Sequence, residues 1–283
     1  MLNENTLKKL DALSLHFKNH AQGGAGGIRR SRTLGSSAEF SDFREYVPGD
    51  DVRRIDWNAY ARFERLFLKL FMEEQEAVVH LIVDASASMK AKWAFTLQAV
   101  EMLAYMALSG GDRVRIVILS EAEAHRSAVY SGRKDFMKAS AFLEAITPAG
   151  ETYLNEVMPR LDIRQRGMTV LFSDLFSDAG YDRALSALLY QKQELMAIHI
   201  LAPEEAHPEM EGAMRLIDSE TQMHVDVLAG SDALRRYQAA LKQFMAELKA
   251  FCHQRGVELI PVVAHDEGLT DLLRLMMRDG MIQ

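Results

Sequence analysis

The chain has a single cysteine, Cys252, in 283 residues. No disulfide can close within it, and a reducing compartment, the cytoplasm, is the expectation. Long apolar runs are missing too: no stretch approaches the ~20 residues that a membrane-spanning helix needs. Near the start, Leu2, Leu7, Leu10, Leu13 and Leu15 are interleaved with Asn, Lys, Asp and Glu, so the apolar core of a signal peptide is not expected there. Positive charge is short relative to negative, with 33 Lys and Arg against 40 Asp and Glu and a net charge of -7. That balance excludes a protein whose main task is to coat nucleic acid. Also missing are the G-x-x-x-x-G-K-[ST] phosphate loop and the G-x-S-x-G nucleophile elbow. What is present is an ordinary globular composition, 48% apolar and 26% charged. It suits one large domain, or one domain with a substantial extension.

Residues 1–75 read as an extension. The first 20 have helical leucine spacing and lead into Gly23-Gly24-Ala25-Gly26-Gly27. This run has neither a preceding strand nor a following Lys-Ser/Thr, so it reads as a hinge or loop rather than a phosphate cradle. Arg29, Arg30 and Arg32 beside it read as a solvated face. Between Ser31 and Glu76, the aromatics Phe40, Phe43, Tyr46, Trp57 and Tyr60 sit among acids and arginines. That mixture argues for a compact packed segment and against a disordered tail. Pro48-Gly49-Asp50-Asp51 is a turn signal, and Arg65–Phe71 alternates as a strand does.

From residue 76 to 283, strands and helices alternate. Strands are predicted at Val78–Val83, Val114–Leu119, Met168–Phe172, Leu195–Leu201 and Val257–Val263, with a short edge strand in His125–Tyr130. Helices are predicted at Trp93–Leu108, Phe136–Ile146, Leu154–Leu161, Asp182–Gln191, Ala233–Arg255 and around Leu269–Met277. Residues 212–229 form a small β excursion. This alternation predicts an α/β fold with a doubly wound, mostly parallel sheet and helices on both faces.

The most informative stretch is Val78–Met89. Its β-branched apolar run reads as a strand buried on both faces, and it ends in D-x-S-x-S, Asp84-Ala85-Ser86-Ala87-Ser88. One carboxylate and two hydroxyls at the carboxyl end of a central strand suit a hard divalent cation, because Mg2+ takes oxygen ligands and keeps several waters. The same residue types also cap helices, an alternative that the motif alone leaves open. Two further pieces favour the cation: Thr152 in the loop Pro148-Ala149-Gly150-Glu151-Thr152, and Asp174 after the buried strand Thr169–Phe172. A doubly wound sheet can bring all three to one crevice.

In that order, Asp84, Ser86, Ser88, Thr152 and Asp174 resemble the metal-ion-dependent adhesion site of von Willebrand factor type A (vWA) domains, over about residues 76–265. The preceding segment F-R-E-Y-V-P-G-D-D-V-R-R-I-D-W-N-A-Y-A-R, starting at Phe43, resembles the signature that precedes such a domain in the DUF58 family. The resemblance implies roles. Ser86 and Ser88 would bind the cation (Mg2+, or Mn2+ or Ca2+) through their hydroxyls, and Thr152 directly or through water. Asp84 and Asp174 would act largely through waters. The remaining position would take an acidic side chain from a partner protein. Family members accompany MoxR-type AAA+ ATPases, so the resemblance also implies an adaptor in assembly or maturation of protein complexes. One departure concerns Glu151, which stands where the family's loop usually has a second glycine. It would tighten the ion, occupy the open position, or point to solvent.

The implied function is therefore a non-enzymatic interaction module. The alternative is a metal-dependent phosphoester hydrolase in the same crevice, with Asp84 as nucleophile or Asp174 as base. It lacks an evident acid and a cationic phosphate clamp, and Ser86 stands where a phosphoaspartyl phosphatase has a second Asp. His16 and His20, four apart, have zinc-like spacing but no third ligand. Cys252 and His253 are helix neighbours that face apart. His80 reads as a satisfied core histidine, and Met102, Met106, Met245, Met276 and Met277 as helix core.

Overall fold

The computed structural model describes residues 2, 4–15, 39–48, 50–52, 55–72, 78–163, 167–177, 179–208, 212–220 and 223–282. In chain order the elements are α1 (Glu4–Leu10), β1 (Glu39–Glu45), α2 (Trp57–Phe63), β2 (Phe67–Met72), β3 (Val78–Asp84), α3 (Trp93–Ser109), β4 (Arg113–Ser120), β5 (Glu123–Arg126) and β6 (Tyr130–Ser131). They continue with α4 (Phe136–Glu144), α5 (Leu154–Val157), β7 (Gly167–Ser173), α6 (Asp182–Tyr190), β8 (Glu194–Leu201), α7 (Pro203–Ala206), β9 (Gly212–Ile217), β10 (His224–Ala229), α8 (Ser231–Arg255), β11 (Glu258–Val263) and α9 (Gly268–Arg278). Contacts divide the chain into two units, Ala25–Glu76 and the remainder, Met1–Gly24 with Ala77–Gln283. The N-terminal helix thus belongs with the larger unit, where Leu10 and Leu15 are fully buried in the core.

The smaller unit is built by its turn and cap residues. Antiparallel β1 and β2 run from Glu39 opposite Met72 to Glu45 opposite Phe67, with an irregularity between Phe40 and Asp42. Asp50 closes the turn by accepting from Val47 N at 2.9 Å and from Arg44 at 2.8 Å. Those two bonds hold its carboxyl below the usual range, the Val47 amide contributing most. Asp56 caps α2 by accepting from Asn58 N and Ala59 N.

In the larger unit the sheet order is β11-β8-β7-β3-β4-β5, with β6 also paired to β4. The pairs from β11 to β4 are parallel, and β5 and β6 are antiparallel to β4. This is the order of a doubly wound sheet, in which the chain first winds one way from β3 and then the other way through β7. Successive β3 residues serve opposite faces. Val79, Leu81 and Val83 enter the core under α3, α4 and α9, while Ile82 enters the core under α5, α6 and α8. Each such buried side chain contributes roughly 1.5–3 kcal/mol, which explains the continuous apolar run.

Two elements differ from expectation for local reasons. The helix expected over Leu154–Leu161 is α-helical only to Val157 and then tightens into a 3-10 turn, Met158–Arg160. Pro159 has no N–H to continue the ladder. The single edge strand expected in His125–Tyr130 is split into β5 and β6 at Ser127, whose hydroxyl accepts the Ile116 N–H that a regular strand would have bonded. The excursion over 212–229 is an antiparallel hairpin of β9 and β10.

Candidate metal centre

β3 and β7 are adjacent and parallel, so Asp84 at the end of one lies beside Ser173 and Asp174 at the end of the other. Because the chain leaves these strands in opposite directions, their carboxyl ends open a crevice between them. Thr152 reaches it through backbone stitching: Ala87 N donates to Gly150 O at 2.8 Å and Ala149 N donates to Ala85 O at 2.9 Å. Gly150 makes this possible with φ +66, a left-handed conformation that costs glycine little. All five residues predicted from the sequence therefore meet at one place.

The capping alternative fails at the hydroxyls. Ser86 stands at the start of the 3-10 helix Ala87–Lys92 but makes no side-chain cap. Its Oγ instead lies 2.9 Å from the Ser88 Oγ. Ser173 and Asp174 also cap no helix, since α6 starts only at Asp182. Asp84 is held by Ser86 N, which donates to Oδ1 at 3.0 Å, and by the Ser173 hydroxyl, which donates to Oδ2 at 2.7 Å. Thr152 is 6% exposed, and its Oγ1 is buried without a hydrogen-bond partner. It lies near enough to Asp84 to favour that carboxylate's charge, yet short of hydrogen-bond geometry. Burial and, secondarily, the charge of Asp174 push the Asp84 carboxyl up from its usual range.

These features fit a hard divalent cation. An orphaned buried hydroxyl lacks the partner that buried polar groups normally have, and Asp84 is desolvated beside Asp174 while the buried Lys92 ammonium pairs with Asp174. Among the described residues, no three histidine, cysteine or acidic side chains stand close enough to hold an ion by themselves. The hydroxyl oxygens of Ser86, Ser88 and Thr152 are the further donors that a cation here could use beside the two carboxylates.

Three neighbours of the site were not singled out from the sequence. Lys92 is fully buried, and its Nζ donates to Asp174 Oδ2 at 2.6 Å and to both Glu205 oxygens at 2.8 and 2.9 Å. Glu205 is fixed on α7 by Ala202 N, which donates to its Oε2 at 2.7 Å. Phe176 N donates to Asp174 Oδ1 at 3.1 Å. The third is Glu220, in the turn between β9 and β10, whose carboxylate lies close enough to Ser88 for that hydroxyl to favour its charge. Burial, and repulsion from Asp84, Asp174 and Glu151, push its carboxyl up to about 7 against that influence. Glu151 itself is half-buried, and its charge pushes the nearby Tyr153 phenol up from its usual range. No local motif marks Lys92, Glu205 or Glu220, because each reaches the site only through tertiary packing.

A family model described as "Protein of unknown function DUF58" matches residues 42–247. The chain belongs to this family. The DUF58 match spans the turn at Asp50, the helix capped by Asp56, and every residue of the crevice from Asp84 to Glu220. Uncharacterized proteins of Mycobacterium tuberculosis and Mycobacterium bovis are each 26% identical over 282 residues, covering 94% of this chain and 87% of theirs. Among solved structures, the VWA domain of SpRpn10 is similar at 12% identity and TM-score 0.41, covering 70% of this chain and 94% of that one. The pilus adhesin SpaC of Lactobacillus rhamnosus GG, in its open conformation, is similar at 10% identity and TM-score 0.44, covering 75% and 31%.

His16, His20, the Gly23–Gly27 run and Arg29, Arg30 and Arg32 fall outside the described residues. Cys252, on α8, is buried, which pushes its thiol up to about 11, and His253 is exposed. His80 is buried as expected, but neither ring nitrogen has a partner. Its imidazole is held near pH 4 by burial and by the nearby charges of Arg115 and Arg126. Among the described residues, no helix is long and apolar enough to cross a membrane.

Proposed function

We propose that this DUF58 chain is a protein-interaction module whose contact is made through a divalent cation, Mg2+ first and Mn2+ or Ca2+ as alternatives, and that it is not an enzyme. The observation that carries this reading is the convergence of three hydroxyls and two carboxylates at the switch point, with Thr152 Oγ1 buried and unpartnered. Ser86, Ser88 and Thr152 would hold the cation, while Asp84 and Asp174 would orient hydroxyls and waters and supply charge. Bound there, the cation supplies an electrophilic centre on which a partner's carboxylate closes. Two contacts favour this reading over the hydrolase alternative. Both Asp84 oxygens accept hydrogen bonds inside the core, from Ser86 N and the Ser173 hydroxyl, which suits an orienting role. Asp174 is tied to the buried Lys92.

The partner assigned here, on the DUF58 resemblance, is a MoxR-type AAA+ ATPase, with this chain as its adaptor in the assembly or maturation of other complexes in the cytoplasm. The test is binding of the purified full chain to the MoxR-type ATPase of its own source, in Mg2+ and in EDTA. Wild type binds only with Mg2+, and Ser86→Ala or Asp84→Ala loses that binding while circular dichroism stays unchanged. Equal binding in Mg2+ and EDTA refutes the proposal.

A further inference from the structure

At the turn end of the β9–β10 hairpin Ile217, Met223 and Val225 are 60%, 70% and 63% accessible. Against that background Glu220, at the turn, is half-buried and turned inward. The turn is shaped to present it, since Asp218 N donates to Met223 O at 2.8 Å and Glu220 N donates to Asp218 Oδ1 at 2.9 Å. Its carboxylate meets Ser88. Ser88 is the half-exposed member of the set in which Asp84, Ser86, Thr152 and Asp174 are buried, so it marks the side of the crevice that faces solvent.

The placement is electrostatically adverse without a cation. Glu220 points toward Asp84, Asp174 and Glu151, and the Lys92 ammonium is already shared by Asp174 and Glu205. Carboxylates brought together out of water repel strongly. A divalent ion on the hydroxyls converts the repulsion into attraction.

We propose that Glu220 is a ligand the chain supplies to its own cation, so that the hairpin turn occupies the position a partner's carboxylate would take. This rests on the cation site proposed above and names its regulation. A partner must displace Glu220, and the hairpin is an internal competitor that keeps the site closed until one arrives.

The test uses Mn2+ alone as probe on the full chain, with calorimetry for affinity and water-proton relaxation for the solvent on the ion. Glu220→Gln is expected to weaken Mn2+ binding by about 10- to 100-fold, the scale seen when a supporting group of a metal site is removed. It should also raise the relaxation enhancement, because water fills the vacated position. Glu247→Gln, an exposed carboxylate on α8, is the control and leaves both unchanged. Hydrogen exchange across residues 212–229 slows on adding Mn2+ to wild type but not to Glu220→Gln. If wild type binds Mn2+ and Glu220→Gln matches it in affinity and relaxation, the site stands and the Glu220 assignment is overturned. If wild type binds no Mn2+, both fall.

Discussion

Replacing Lys92 with methionine keeps the length of the side chain and removes its charge. Lys92 Nζ is fully buried and donates to Asp174 and Glu205. Without it Asp174, itself buried, retains Phe176 N as a donor but has no counter-charge at Oδ2. Removing one partner of a buried ion pair costs about 3–5 kcal/mol, because the other charge stays desolvated. Glu205 is partly solvated, with 28% of its side chain accessible. Water can therefore relieve it, and the expected loss falls in the lower half of that range, about 3–4 kcal/mol. Against a total stability of about 5–15 kcal/mol this is large, and in a domain of this size it lowers Tm by about 10 °C. The assay is urea unfolding of Lys92→Met followed by tryptophan fluorescence, for which the adjacent Trp93 is a reporter, and by circular dichroism. Adding Asp174→Asn removes the stranded charge, so the double variant should recover about 1–3 kcal/mol relative to additivity. A Lys92→Met loss below about 1 kcal/mol, or strict additivity in the cycle, would show that this ammonium does not neutralise Asp174.

Two further outcomes follow from the core. His80 is held near pH 4 in the fold, chiefly by burial, against an ordinary value of 6.5. The unfolded chain therefore takes up a proton that the folded chain refuses; stability is full above pH 6.5 and falls toward pH 4, by about 3 kcal/mol from this group. His199, also pushed down to about 4 chiefly by burial, adds to the slope. Denaturant midpoints measured between pH 7 and pH 4 check this, and His80→Leu should flatten the profile; an unchanged profile refutes it. At Gly167 an added Cβ would lie 2.1 Å from Val78 O, where β7 meets β3. Gly167→Ala should lose at least about 2–3 kcal/mol by overpacking against backbone, and an unchanged midpoint would deny that close approach.

Much of the fold could be read from local pattern. The apolar run at Val78–Val83 buries both faces of a parallel strand, so its position follows from composition alone. The end of β3 in D-x-S-x-S and of β7 in Ser173-Asp174 placed four of the five site residues, since a doubly wound sheet puts strand carboxyl ends at one crevice. Boundaries were less legible. The loss of α-helix after Val157 turns on the missing N–H of Pro159, and the break at Ser127 turns on its hydroxyl taking a strand's hydrogen bond.

By itself, the sequence determined the fold class, the four oxygen donors at strand ends and the DUF58 membership, because each rests on local motifs or on one repeating strand–helix pattern. It did not determine the electrostatics of the crevice. Whether Ser86 caps a helix or pairs with Ser88, whether Asp174 is free or neutralised, and where Glu220 points all depend on groups far apart in the chain, such as Lys92 with Glu205 and Glu220 with Ser88. Charges act through space and burial, not along the backbone, so only the tertiary structure brings them together.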